Sequence, residues 1–176
     1  PPATHPYAVL EFCTGGRSRM ELNGEWTLRE GDVLLVPAGA PHRMLEARGM
    51  ESWGLAFCVP CFAADRTASL LEPFERVREG ASAVVQIPGA RHPYLEGLFR
   101  ELESTGRERP GPTESLDAVQ RSLLTLILAE VDRASSASGA RQATRGSVVT
   151  GALRFIERNC LGPLSLNDVA AAVGRS

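Results

Sequence analysis

A chain of 176 residues with 43% apolar and 23% charged residues and a net charge of −2 has room for one good core and an appendage, as in an ordinary globular protein. No run approaches the roughly 18 consecutive apolar residues of a membrane span, and no secretory leader follows Pro1-Pro2, so a cytoplasmic chain without a membrane partner is expected.

From Tyr7 to Pro60 short strand-like runs alternate with glycine-bearing turns, and no ten-residue helical period intervenes. Strands are expected over Tyr7 to Thr14, Ser18 to Leu22, Trp26 to Arg29, Val33 to Val36, His42 to Glu46 and Ser52 to Val59. Asn23-Gly24 signals a hairpin and Gly15-Gly16 a turn. Many short strands at this spacing suggest a sandwich or barrel.

After Pro60 the pattern becomes helical. A short helix is expected over Thr67 to Arg78, a strand-like return over Ala83 to Ile87, and a helix over Pro93 to Ser104 with Leu95, Leu98, Phe99 and Leu102 on one face; Gly106 to Pro112 breaks the chain. The helix from Ser115 to Arg133 is apolar over most of its circumference, which calls for cover on two sides. A second copy of the chain is the simplest cover, giving a homodimer through Leu116, Val119, Leu123 and Ile127; burial within one domain is the alternative.

Ser135 to Ser147 has no large apolar residue and reads as a linker between residues 1–134 and 148–176. The charge divides near the same place, with −5 on residues 1–135 and +3 on residues 136–176. A basic tail suits the approach to DNA better than an acidic body does, though a solvated linker would also account for it. Val148 to Cys160 forms a helix with Val149, Leu153, Ile156 and Cys160 at near-heptad spacing, stopped by Leu161-Gly162-Pro163. Ser165 and Asp168 then make a capping box that opens a helix with Leu166, Val169, Ala170 and Val173 on one stripe. Gly174 supplies a turn and Ser176 a second cap, the opening of a helix-turn-helix whose reading helix would follow; the chain is expected to continue past Ser176.

The run Gly31-Asp32-Val33-Leu34-Leu35-Val36-Pro37-Ala38-Gly39-Ala40-Pro41-His42 joins a glycine-aspartate turn, an apolar strand and a proline-glycine turn that delivers one histidine. Together with Gly15-Gly16, Asn23-Gly24 and Trp26 it resembles the second segment of cupin, or double-stranded β-helix, barrels. Its order before two helices, a linker and a helix-turn-helix resembles the AraC/XylS-type transcription regulators over nearly the whole chain. Leu166, Asp168, Val169, Ala170, Ala171, Val173, Gly174 and Ser176 sit where that family's first DNA-binding motif has similar residues. The resemblance implies an α+β chain: a cupin-like β-barrel that binds a small-molecule effector and dimerises, antiparallel helices, a linker, and an incomplete helical unit that binds DNA in the full-length protein.

Cupins also include metalloenzymes, whose centres need about three histidines and a carboxylate converging on one ion. The only histidines are His5, His42 and His92, and the segment Tyr7 to Asn23 has none. No resident metal or cofactor and no enzymatic role are therefore expected. The barrel residues offered for the effector are His42, Trp53, Trp26, Thr14, Met44 and Phe57. His42 either presents a donor and an acceptor to the barrel mouth or bonds backbone at a strand start, and Trp53 is either a stacking wall or core. Without paired acids or bases the ligand reads as neutral or weakly polar, with Arg43 and Glu11 able to add charge in another register. His5 and His92, each beside a proline, read as surface residues. Cys58-Val59-Pro60-Cys61 is a C-x-x-C; with Cys13 it is either a redox or thiophilic-metal sensor, the basis of an alternative function, or a set of incidental thiols.

Overall fold

The structure, a computed structural model, describes residues 1–62, 68–108, 118–159 and 165–172. The chain divides into two compact units, Pro1–Ser135 and Ser136–Ser176. The described residues of the first include five antiparallel strands curled into a half-barrel, consistent with the cupin-like fold expected from the sequence. These are β1 (Ala8–Glu21), β2 (Glu25–Arg29), β3 (Asp32–Val36), β4 (Arg43–Phe57) and β5 (Val84–Gln86). The first half of β1 lies between β3 and β4, its second half lies between β2 and β4, and β5 pairs with β3.

β1 and β4 each absorb two of the strands expected separately. Gly15-Gly16 is a bulge within β1: the register slips on either side of Gly15, yet pairing with β4 resumes at Arg17. Gly16 (φ +68°) lies against Gly49 (φ +54°) of β4, and a Cβ on Gly16 would stand 2.1 Å from the Gly49 carbonyl oxygen. Only glycine lets the strands approach that closely and bend together. At the other end of β1, Asn23 (φ +50°) and Gly24 (φ +133°) close the hairpin to β2. That hairpin pairs Glu21 with Glu25 and Arg17 with Arg29.

Alternation then divides the sheet into two faces. One carries Leu10, Phe12, Met20, Leu22, Leu28, Val33 and Leu35, all buried. It is covered by α1 (Val59–Phe62), α2 (Glu72–Arg78), α3 (His92–Glu108) and the first part of α4 (Ala118–Asn159). Leu95, Leu98 and Phe99 of α3 are buried as their spacing predicts, and the Phe99 ring lies 6.3 Å from Phe12 and 6.1 Å from Trp53. Phe57 meets the edges of Phe62 and Phe74. His92, expected at the surface, is half-buried with its ring 5.6 Å from Phe12 and its Nε2 bonded to the Ile87 carbonyl.

α4 buries Leu123, Leu124, Ile127, Leu128 and Val131 in this same core. Leu123 and Ile127, expected to face a second subunit, are thus covered by the chain itself. Val119 and Leu126, seven residues apart, remain about half exposed, while Leu116 lies outside the described residues. Glu130 of α4 takes a bidentate pair from Arg91, at 2.5 and 3.0 Å, and a further bond from Arg133. Burial raises the Glu130 carboxyl, but the bonds and charges of Arg91 and Arg133 outweigh it and hold the group below its ordinary value.

α4 is helical through Asn159, so residues 135–147, expected as a linker, are helical in secondary structure; their place between two units stays an expectation. Their alanines, arginines and glutamine favour helix, and Gly139 and Gly146, with no proline beside them, do not stop it. In the second unit, α5 (Leu166–Ala172) opens as expected. The Ser165 hydroxyl accepts from the Asp168 N–H at 3.2 Å, and Asp168 Oδ2 accepts from the Ser165 N–H at 2.9 Å. The Ser165 hydroxyl, donating to Asp168 Oδ2 at 2.6 Å, and then the Ser165 N–H hold the Asp168 carboxyl below its ordinary value. Leu166 is 84% exposed; Gly174 and Ser176 lie outside the described residues, as does the Ala170 side chain.

Candidate functional site

The six residues proposed from the sequence for effector binding do not converge. Trp53 and Phe57 lie on the helix-covered face, Trp53 stacked on Phe99 and Phe57 edge-on to Phe62 and Phe74. Trp26 and Met44 flank Met20 from the two neighbouring strands, and Trp26 Nε1 donates to the Leu22 carbonyl at 2.8 Å. Thr14 sits in the β1 bulge. His42 bridges to Ala3, bonds the Ala40 carbonyl at 3.0 Å, and has its ring 4.8 Å from that of His5. Its backbone role at a strand start is one of the two the sequence left open.

The cysteines separate as well. Cys58 and Cys61 are joined by a disulfide with Cα atoms 5.2 Å apart, whereas Cys13 is a free, buried thiol. Burial is the main cause that pushes the Cys13 thiol above its ordinary value, so it is a poor thiolate at neutral pH. Among the described residues no group of three or more His, Cys, Asp and Glu side chains is placed to hold a metal ion.

Chemistry is concentrated instead on the sheet face that the helices leave open. Strand pairing sets three rows across β2, β1 and β4: Arg29, Arg17 and Arg48; then Thr27, Arg19 and Glu46; then Glu25, Glu21 and Arg43. A cavity of about 210 Å³ lies over the first two rows, lined by Arg17, Ser18, Arg19, Thr27, Arg29 and Glu46. The lower two rows carry three carboxylates and two guanidiniums, and each of them is ion-paired. Arg19 pairs with Glu25 at 2.6 Å and Arg43 with Glu21 at 2.5 Å, while Arg48 pairs with Glu46. The Glu25 bond is the main cause that raises the Arg19 guanidinium above its ordinary value. Arg17 and Arg29, direct cross-strand neighbours, have no carboxylate within ion-pair distance among the described residues. Like charges facing each other across strands cost roughly 0.2–1 kcal/mol per pair before screening.

Beneath the Arg29 end of the cavity, Asp32 Oδ2 accepts the Arg29 backbone N–H at 2.9 Å. Asp32 is nearly buried at 9% exposure, and that burial raises its carboxyl above its ordinary value, against the bond and charge of Arg29. Of the cavity residues, none was singled out from the sequence. A usable signal was present, because a hairpin centred on Asn23 puts Arg17 opposite Arg29 and Arg19 opposite Thr27. Arg48 and Glu46 join only through the bulged pairing with β4.

The fold is a curled antiparallel sheet with helices on one face and a small polar cavity on the other. The chain belongs to the AraC-like ligand binding domain family, which matches residues 1–124. No curated protein matches it. Nine solved chains do. One, described as the AraC-like transcriptional activator CuxR, is 17% identical with a TM-score of 0.44, and the alignment covers 98% of this chain. This chain spans 58% of the length of that one. Among the described residues no helix is long and apolar enough to cross a membrane.

Proposed function

We propose that this chain is the sensor part of a ligand-responsive transcription regulator: residues 1–134 bind a small-molecule effector and dimerise, and residues 148–176 begin a helix-turn-helix DNA-binding unit. The observation that carries this reading is membership of the AraC-like ligand binding domain family over residues 1–124. Leu126 of α4 keeps an exposed apolar side chain that a second copy would cover. The Ser165–Asp168 capping box supports a helix start where the DNA-binding unit would open. The mechanism is a population shift, in which the effector binds one arrangement of the dimer better than another and so biases how the attached DNA units are held.

Native mass spectrometry of residues 1–176 tests the sensor half directly. A dimer carrying a small organic adduct that survives reductant is the expected result; a bare monomer that no small molecule adds to overturns it.

A second reading is favoured by one observation, the Cys58–Cys61 disulfide. Thiol exchange with a dithiol donor would convert it to two thiols, the donor becoming the disulfide, so that redox state rather than an effector sets the response. Cys58→Ser in the full-length regulator abolishes the response under this reading; a response that persists in the variant removes it.

A further inference from the structure

The open face of the half-barrel is the other half of β1, β2 and β4 from the one that makes the core, and packing does not select its side chains. In the other two rows every charged side chain is ion-paired, whereas the row Arg29–Arg17–Arg48 places three guanidiniums side by side with only Arg48 in an ion pair, to Glu46. The first unit as a whole carries −5 on residues 1–135, so this row opposes the general field of its own domain. A local cationic site within an acidic body suits a small anion that enters a cavity better than an extended polyanion, which the surrounding charge repels. The volume points the same way. About 210 Å³ is below the roughly 300–1,000 Å³ of clefts for drug-sized ligands and fits a compact metabolite.

We infer that this cavity is an effector site for a small organic anion, whose carboxylate or phosphate is gripped by Arg17 and Arg29, with Arg19 and the Thr27 hydroxyl completing the donor set. The planar forks of two adjacent guanidiniums match the paired oxygens of either group, and the ligand supplies the negative charge that the row lacks. Glu46, bonded to Arg48 at the cavity wall, repels a second anionic group placed near it and so directs the anion toward β2. The inference rests on the sensor reading in that it names the ligand class for such a sensor, and it replaces the neutral ligand expected from the sequence.

The test is isothermal titration of residues 1–176 with inorganic phosphate and, separately, with succinate, at an ionic strength held constant with sodium chloride. Saturable binding of at least one probe is expected, with phosphate alone indicating a phosphate ligand and succinate alone a carboxylate. Arg17→Gln and Arg29→Gln each weaken that binding about tenfold or more, while Arg43→Gln, on the same face but outside the cavity and paired with Glu21, leaves it unchanged. Should one cavity variant fail to fold by circular dichroism, the other carries the test. No binding of either probe to the wild-type chain overturns the inference, as does equal weakening by Arg43→Gln. Binding of an arbitrary-sequence DNA duplex that depends on Arg17 also overturns it, by making the face a backbone contact. The two proposals fail separately: a dimer that retains an uncharged adduct and ignores both probes keeps the sensor and loses the anion site. Arginine-dependent anion binding by a strict monomer keeps the site and loses the dimeric regulator.

Discussion

β1 contributes to two surfaces by one alternation, and they differ in what selects their residues. On the covered face Leu10 and Phe12 are held among Val33, Leu35, Trp53 and Phe99, where any change of volume is felt by its neighbours. On the open face Arg17 and Arg19 touch mainly charge and solvent, and their loss leaves no void. Residue choice on the first face therefore records packing, while residue choice on the second is free to record a ligand.

Substitution on opposite faces gives the largest contrast. Phe12→Ala should lower unfolding free energy by about 3–5 kcal/mol, since the fully enclosed ring leaves a cavity against Phe99 and His92. Thr27→Ala on the open face should change it by less than about 0.5 kcal/mol. Urea denaturation measures both, and equal losses would abolish the distinction between the faces.

The bulge that bends both strands comes next. Gly16→Ala must displace the Gly49 carbonyl as well as hold a positive φ, and should cost more than about 1 kcal/mol. Gly39→Ala also has a positive φ but meets nothing within 4 Å, so it isolates the backbone cost. A Gly16 variant no worse than the Gly39 variant would show that the two strands are free to separate at the bulge.

How much of this was legible in the sequence follows from range. The N-cap at Ser165 and the α3 stripe Leu95, Leu98 and Phe99 are set by residues within a turn or two, and the sequence exposes them. The Asn23 hairpin is also local, and with it the Arg17–Arg29 pairing. The merging of strands into β1 and β4 was not readable, because Gly15-Gly16 serves equally as a turn or a bulge. The difference lies in Gly49, more than thirty residues away. The same gap hid the site: alternation along one strand left Trp53 open as stacking wall or core, and the sheet gives Trp53 and Phe57 to the helices.

Two carboxyl groups give a smaller, pH-dependent contrast. Glu130 is held below its ordinary value in the folded chain, so its contribution is fully present above the unfolded value and is lost as pH falls through the folded one. Asp32 is shifted upward, so the folded chain is favoured while Asp32 is protonated, and that advantage disappears as pH rises through its folded value. Glu130→Gln should flatten the loss of stability on acidification, and Asp32→Asn should raise relative stability at neutral pH if the amide oxygen keeps the Arg29 N–H bond. Denaturation midpoints from pH 3 to 8, a range chosen to span the ordinary carboxyl values, separate the two slopes. Slopes of the same sign would contradict the opposed environments of the two groups.

The smallest expected effect is the one most specific to the open face. Arg17→Gln removes the central charge of a row in which Arg29 and Arg48 are its immediate neighbours. Without ligand, the variant should be more stable than the wild type by a few tenths, ~0.3 kcal/mol, because screened repulsion is relieved and no ion pair is lost. Core residues are retained because their removal destabilises the fold, so a residue whose removal stabilises it must be maintained by something other than folding. With a bound anion the order reverses, since the wild type gains by RT ln(1 + [L]/Kd) and the variant gains less. Melting curves with and without phosphate or succinate measure both orders in one experiment. A variant less stable than wild type in both conditions would make Arg17 a structural residue and return the open face to the same rule as the covered one.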